Sequence, residues 1–528
     1  MGAIVSLVRD TSRTISTAWA VLSTLNEQYQ RALERLRRAP GLPGPNPTSS
    51  YWQDDAPFPA LVDRQDALPA EVDVVIVGSG ITAAAAAKTL LELSPETSVA
   101  VLEARQLCSG ATGRNGGHIK CVPYEVYPTL RKKGFGEEAA ARLTRIQTRH
   151  VEALMQVGRK FPLGEVREVE TVDLYLEEKD FEEALKELDE TKQAIPELDF
   201  AVWHGPEARK QFGVNEKIKG AISYQAGALW PYRLVTSLWH HLMTTHAPNL
   251  TLSTHTPVTS VSRGDGDDGD DKDGRYLVQT PRGNLRACHV LHATNGFAPQ
   301  LVPSLVGVVG GSHAEMTAQR PGDDFPRCHG QRSWSVIYCP GFDYITQRPD
   351  GPDGEPGDLM VGGGFFRSKE QGMDVLGVYD DSYTDAFPVM HLYGCMPTVF
   401  QPNWGAGSAM KKSWSGIVAL TGDTLPLVGR LPSSSPTTSS RQPATANSLK
   451  AGSGEWVSAG YNGEGMVWAW LCGSAVAVMM AGEEDNDVPP GLGRPGGRLT
   501  EWFPVEELAV NAARLKRADL KNLADVLT

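Results

Sequence analysis

Along residues 4–38 the apolar positions recur mostly at three- and four-residue steps: Ile4, Leu7, Ile15, Trp19, Leu22, Leu25, Tyr29, Leu33 and Leu36. That period predicts an amphipathic helix. Arg31, Arg35, Arg37 and Arg38 gather at its C-terminal end, where cations suit the helix dipole, and Pro40, Pro43, Pro45 and Pro47 stop it. A different pattern starts at residue 72. Val72, Val74, Val75, Ile76 and Val77 make a near-continuous β-branched run, as expected of a central parallel strand covered on both faces. A helical run over 84–93 follows, then Pro95 and a second strand over 98–102. Shorter runs predict strands at 171–176, 276–280, 285–290 and 334–345, with Val258 and Val261 in another. Residues 466–482 are nearly all apolar. They stand at the short end of the range for a membrane span and include Gly473 and Ser474, so a buried helix is expected. A last helix is expected over 504–528, with Pro504 near its first turn.

A chain of 528 residues has room for two or three domains. At 41% hydrophobic and 21% charged it is neither disordered nor fibrous. Its net charge of -13 argues against nucleic acid as a partner, because phosphate contacts need a basic field. Cys108, Cys121, Cys288, Cys328, Cys339, Cys395 and Cys472 form no CxxC pair, so neither a zinc finger nor a thioredoxin-like motif is expected. The acidic, glycine-rich run 264–274 lacks the spacing of a calcium loop, and no metal site is expected. Residues 432–455 are rich in Ser, Thr and Pro and read as a disordered insertion. Arg9, Asp10 and Arg13 interrupt the first apolar stretch, so there is no secretory signal and the expected location is the cytoplasm. Gly2 followed by Ser6 fits the myristoylation pattern. The N-terminal helix therefore has two readings: part of a weak peripheral membrane contact, or a helix packed on the body of the protein.

The strand–helix–strand unit over 71–103 carries the strongest chemistry. Gly78 permits a tight turn, Gly80 permits close approach of a pyrophosphate, and Ala83 keeps the helix–strand packing close where a third Gly is usual. The helix N-terminus offers free N–H groups to phosphate. Glu103, at the tip of the second strand, is placed to bind ribose hydroxyls and disfavours a 2′-phosphate. This is a dinucleotide fingerprint, open to NAD or FAD. There is one fingerprint only, which argues against a second nucleotide domain.

Four further segments bear on that choice: the Gly-rich loop Ser109 to His118, Leu291 to Gly296, Trp414 to Gly429, and Ala459 to Met466. In this order they resemble the D-amino-acid-oxidase-like family of FAD-dependent oxidoreductases, which includes sarcosine, glycine and γ-glutamylputrescine oxidases. The Gly110 to Gly117 loop is most similar to the γ-glutamylputrescine oxidase branch, and the likeness spans residues 50–482. The resemblance implies an α/β fold. A Rossmann-like FAD-binding domain of the glutathione-reductase type would come from 71–155, 220–300 and 414–482. A mixed-sheet α+β substrate domain would come from 160–219 and 301–413. The helix and Pro-rich linker of 1–48 and the C-terminal helix of 503–528 are additions. It implies FAD as cofactor and an amine or amino acid as substrate, with hydride transfer to flavin N5 and O2 reduced to H2O2. Two other outcomes stay open: a dehydrogenase passing electrons to a quinone or protein, and a non-catalytic flavin-binding peripheral membrane protein.

Residue by residue, the resemblance places Gly78, Gly80 and Thr82 at the pyrophosphate and Glu103, Ala104 and Arg105 at the ribose. Thr112, Arg114, Asn115, Gly116 and Gly117 would run along the pyrophosphate toward the flavin ring. Val258 would meet adenine, and Ala293 and Asn295 would end the strand over the cofactor. Gly460, Asn462, Gly463, Glu464, Gly465 and Met466 would form the loop at the flavin O2/N1 side. Glu464 departs from the His of many relatives, and an acid there opposes an anionic reduced ring unless it is protonated or points away. His118, Cys395 and Cys121 are candidates for a covalent flavin link. Tyr175, Trp334, Tyr338, Tyr344, Arg332 and Arg367 are candidates for the substrate pocket. No catalytic base is named.

Overall fold

The computed structural model describes residues 23–263, 275–432, 449 and 452–523. The β-branched run forms the strand Glu71–Val77, with Val74, Val75 and Ile76 fully buried. Val99–Leu102 and Gly283–His292 flank it in parallel. Leu250–Ser253 and Gly454–Ala459 extend the parallel sheet outward, and Leu427–Arg430 closes one edge antiparallel. The strands Tyr276–Thr280 and Ser260–Arg263 branch off antiparallel, completing an eight-stranded sheet. Val258 lies just before Ser260–Arg263 and is buried beside Leu102 and Val75.

Residues 466–482 contain the helix Ala469–Ala481, buried along its whole length. It packs on the helix Ile81–Leu93, whose Ala83 to Ala87 are fully buried. Small residues allow the approach: a Cβ on Gly473 would stand 2.4 Å from the Thr82 carbonyl oxygen. Among the described residues no helix is long and apolar enough to cross a membrane.

A second sheet of nine strands is mixed and mostly antiparallel. Its order runs Ala409–Thr421, Val309–Arg320, Leu359–Gly363, Phe342–Gln347, Arg332–Ile337, Arg167–Tyr175, Gly220–Ala228 and His118–Ile119, with Ala201–His204 paired to Gly220–Ala228. Cross-strand register puts Met316, Gly362, Tyr344, Ser335 and Asp173 in one row. This row faces the first sheet, for Met316 and Tyr344 share a core with Ile76 and Trp414. The opposite row, with Val361, Ile345, Trp334 and Val172, is covered by the helices Gly205–Phe212 and Ala386–Phe400.

Several expectations change. The strands Gly220–Ala228 and Ala409–Thr421 belong to the second sheet, so the divisions expected at 220 and 414 fall one strand off. Each strand is claimed by cross-strand pairing, and local pattern carries no record of its partner. The single strand expected at 334–345 is a hairpin, turned at Gly341 with φ +115. The C-terminal helix is three short pieces: Val505–Leu508, Ala512–Arg517 and Leu520–Leu523. Asn511 restarts it by accepting from the Arg514 amide, and Arg514 turns inward to meet buried Asp423 at 2.6 Å. Residues 23–36 are helical, and Ala32 and Leu36 pack on Leu376, Leu520 and Leu523, as the body-packed reading expects. The myristoylation pattern at Gly2, the acidic run 264–274 and most of 432–455 lie outside the described residues.

Replacing Gly473 by Val should force the two helices apart, because a backbone carbonyl blocks the new Cβ. We expect a loss of about 1–3 kcal/mol, read as a lower urea midpoint.

Candidate active site

The parallel strands Glu71–Val77, Val99–Leu102 and Gly283–His292 end at one edge, where the chain must turn three times. The first turn uses Gly78, whose φ is +101 and where a Cβ would stand 2.8 Å from the Ala293 carbonyl oxygen, so a side chain is excluded. Ile81–Leu93 then starts with Gly80 as an uncapped N-terminal residue. The first N–H groups of a helix have no intrahelical acceptor. Thr112 Oγ1 accepts from the Ile81 amide at 3.0 Å, and no N-cap side chain takes the Thr82 or Ala83 amide. The Thr82 hydroxyl bonds to Tyr461 at 3.0 Å, so it ties the helix start to the last loop of the site.

Glu103 is half-buried at the second strand's tip. One carboxylate oxygen accepts from the Ser79 amide and hydroxyl at 3.1 and 2.7 Å, and the other accepts from the Arg105 amide at 2.9 Å. Ala104 beside it is half-exposed. Arg105 turns onto Asp381, 3.0 Å from both carboxylate oxygens, and Arg114 is buried against the same acid at 3.7 Å. Burial lowers the Arg114 guanidinium to about 10. Both side chains therefore hold the loop rather than face the groove. Asn115 folds over the loop, donating to Ala111 and Thr112 and accepting from the Gly117 amide at 2.7 Å. Gly116 lies under the Tyr344 ring, where a Cβ would meet carbon at 2.5 Å.

The third strand ends at half-exposed Ala293 and at Asn295, a left-handed residue whose side chain accepts from the Gly460 and Tyr461 amides. Asn462, also left-handed, binds Thr421 of the second sheet through the Thr421 amide at 2.8 Å. Gly463 and Glu464 are exposed, Gly465 is half-exposed, and Met466 is buried, with its sulfur 3.8 Å from Asn115. Glu464 sits on an exposed turn, but the protein packed around its carboxyl desolvates it. Its carboxyl is pushed up to about 7, against the Trp468 hydrogen bond and the Lys133 charge. Open residues thus run from Glu103 past Gly78 and Gly80, Ala293 and Asn295 to Glu464. This line of backbone-rich positions at the strand ends is the candidate cofactor groove.

The substrate candidates separate by face. Tyr344 lies on the near face, its hydroxyl 3.1 Å from the Met316 sulfur. Tyr175 bonds to Tyr124 at 2.9 Å beneath Phe181. Trp334 and Tyr338 belong to the far side and do not line the groove: Trp334 is buried against Phe325 and Phe400, and Tyr338 bonds His391 and Asp343. Arg332 pairs with Glu170 at 2.6 Å, and Arg367 stacks on Tyr338. Cys395 packs in the same far core, its thiol raised by burial. Cys121 is buried on the near side, with its thiol also raised by burial. His118 Nε2 is 2.9 Å from Ser333 Oγ, and burial, helped by Lys120, holds the ring well below the usual histidine range.

Sequence reading missed the polar floor beside His118. Lys120 pairs with Asp173, which also accepts from Tyr124 and Tyr224 at 2.6 and 2.9 Å. It also missed the segment Thr48 to Trp52, which enters a short 3-10 turn at Tyr51 and meets Arg114 and Asn115. Alternation in 171–176 marks Asp173 as sharing a face with Thr171, but nothing local pairs it with Lys120.

A model of the family described as FAD dependent oxidoreductase matches residues 73–479, more than half of the chain. No curated protein matches the chain as a relative. Among solved structures, glycine oxidase from Geobacillus kaustophilus superposes with TM-score 0.57 at 19% identity, covering 79% of this chain and 96% of that one. L-proline dehydrogenase from P. horikoshii gives TM-score 0.56 at 17% identity, covering 83% and 98%. Iminodiacetate oxidase from Chelativorans sp. BNC1 gives TM-score 0.57 at 15% identity, also covering 83% and 98%.

Thr112→Val keeps the shape at the helix start but removes the acceptor of the Ile81 amide. The orphaned buried donor should cost about 1–3 kcal/mol, seen as a lower unfolding midpoint and faster hydrogen exchange at Ile81.

Proposed function

The chain belongs to the FAD-dependent oxidoreductase family, and on that premise we propose that it oxidises the carbon–nitrogen bond of an amine or amino acid, with dioxygen as final acceptor and hydrogen peroxide as product. Bound FAD supplies the two-electron acceptor. The observation that supports the cofactor's placement is the run of half-exposed strand ends and turns from Glu103 to Glu464, with the uncapped Thr82 and Ala83 amides of the helix start behind it. Those amides and the helix dipole would hold the pyrophosphate. Glu103 would accept from the ribose hydroxyls, while Ser79 and the Arg105 amide fix its orientation. The 460–466 loop would border the flavin ring, held there by Asn295 and Asn462. The near face of the second sheet, with Tyr344, Ser333 and His118, would close over the reacting end and exclude water. Neutral His118 can accept or donate a hydrogen bond there without adding charge. A peripheral membrane contact through the N-terminal helix would have to use residues outside the Ala32 and Leu36 face, which is taken.

The deciding experiment is the absorbance spectrum of the purified protein, followed by anaerobic mixing with amines and amino acids. We expect flavin bands that an amine or amino acid bleaches, and peroxide on admitting air. Flavin that no such compound bleaches would sink the substrate class. Bleaching without peroxide would favour a quinone or protein acceptor. After acid precipitation the colour should move to the supernatant, because Cys395 lies behind the sheet and His118 is engaged by Ser333.

Glu464 sets a pH dependence. Its raised carboxyl is neutral below about 7 and anionic above. An anion there opposes electron gain by the ring, so reduction by substrate should slow as pH rises through about 7. Glu464→Gln should remove that step; stopped-flow reduction against pH checks it.

A further inference from the structure

Arg105 and Arg114 belong to the loop that follows Glu103, yet both guanidinium groups converge on one carboxylate of the second sheet's periphery. Asp381 is 5% exposed, and the arginine side chains are 9% and 3% exposed. Arg105 Nη1 lies 3.0 Å from each Asp381 oxygen, while Arg114 Nε lies 3.7 Å from one of them. The acid is itself anchored. The segment before it pairs with Val309–Arg320 beyond the end of Leu359–Gly363, with Gly377 donating to Gly311 and Leu376 bridged to Ser312. The Asp381 carbonyl accepts from the Thr48 amide at 2.7 Å and the Ser415 hydroxyl at 3.2 Å. Arg114 completes the ring, donating to the Thr48 and Ser415 carbonyls at 2.8 and 2.7 Å, to the Thr48 hydroxyl at 3.1 Å and to the Ser109 carbonyl at 2.7 Å; the same Thr48 hydroxyl accepts from the Ser415 amide at 3.0 Å, and Thr48→Val removes both hydroxyl contacts.

We propose that Asp381 is a positioning residue for the cofactor: through Arg105 and Arg114 it clamps the 105–117 loop against the second sheet, and the segment at Thr48 locks the clamp. This rests on the FAD reading of the groove. Two independent features of the geometry support it. Thr112, which holds the helix-start amide of Ile81, and Asn115, which closes the loop onto Gly117, lie between or next to the clamped arginines, so their placement follows that of Arg114. The buried cluster joins two arginines to one acid, and its surplus positive charge sits on the loop that borders the helix start where an anion would rest. Removing the acid leaves two buried cations together. The loop then moves outward to hydrate them, and the groove loses one wall.

The test is the rate of FAD release from the holoenzyme, followed by recovery of free-FAD fluorescence after dilution, in wild type, Asp381→Asn, Asp381→Glu and Thr48→Val. Asp423→Asn is the control, since it breaks another buried acid–arginine contact, at Arg514 and Arg517 of the C-terminal segment. We expect release to be at least tenfold faster in Asp381→Asn and severalfold faster in Thr48→Val. Asp381→Glu should lie nearer wild type, and Asp423→Asn should be less stable but release FAD at the wild-type rate. If Asp381→Asn does not fold, Thr48→Val decides. Wild-type release rates in the Asp381 and Thr48 variants, or equal acceleration in Asp423→Asn, would overturn the clamp and leave the cofactor reading standing. A wild-type protein without FAD would remove both.

Discussion

The strand Glu71–Val77 reaches the edge of its sheet beneath the Ala293 carbonyl, and the chain has to turn where no Cβ fits. Gly78 meets that constraint with a positive φ. The tight turn sets the start of Ile81–Leu93, and the helix start sets where unpaired amides meet the groove. The Ala-rich face of this helix then requires a partner without bulk, which Ala469–Ala481 supplies at Gly473. The hydroxyl contact between Thr82 and Tyr461 carries the position of the first turn to the far loop of the site. Strand end, helix start and C-terminal loop are thus fixed relative to one another before any ligand is considered.

Most polar side chains around the groove bind protein backbone or each other. Glu103 orients Ser79, Asn115 closes its own loop, and Asn295 and Asn462 carry the Gly460 turn. The ligand-facing surface is left mainly to amides, glycines and small residues. This suits a cofactor with a long, flat and charged outline, because backbone can approach closely and preoriented N–H groups need no reorganisation. Glu464 is the exception. It places a titratable group in the last loop, where desolvation by the surrounding protein favours its neutral form.

The two sheets meet through a few concentrated contacts as well as a broad apolar core. Tyr344 lies on Gly116, Asn462 binds Thr421, and the Arg105–Asp381–Arg114 cluster joins the loop to the second sheet's rim. Each joins a residue of the cofactor side to one of the covering sheet. Closure of the groove is therefore a property of the interface.

The fold class and the groove's first half were legible because their signals are local. A β-branched run, glycines at a strand end, an alanine helix and an acid at the next strand tip all lie within 71–103, and each acts through the backbone beside it. The glycine-rich loop and the Gly460 to Gly465 turn were legible for the same reason. What the sequence left open is set by distant pairing. Gly220–Ala228 and Ala409–Thr421 join the second sheet because of the strands opposite them. Arg105 and Arg114 face Asp381, and Lys120 faces Asp173, across gaps in sequence that no periodicity spans. Trp334 and Tyr344 both look like pocket aromatics in the sequence, yet strand alternation sends one to the far core and one to the groove. Local sterics and propensity decided which elements form. Only the tertiary packing decided which side of the second sheet faces the first and which charges are buried together.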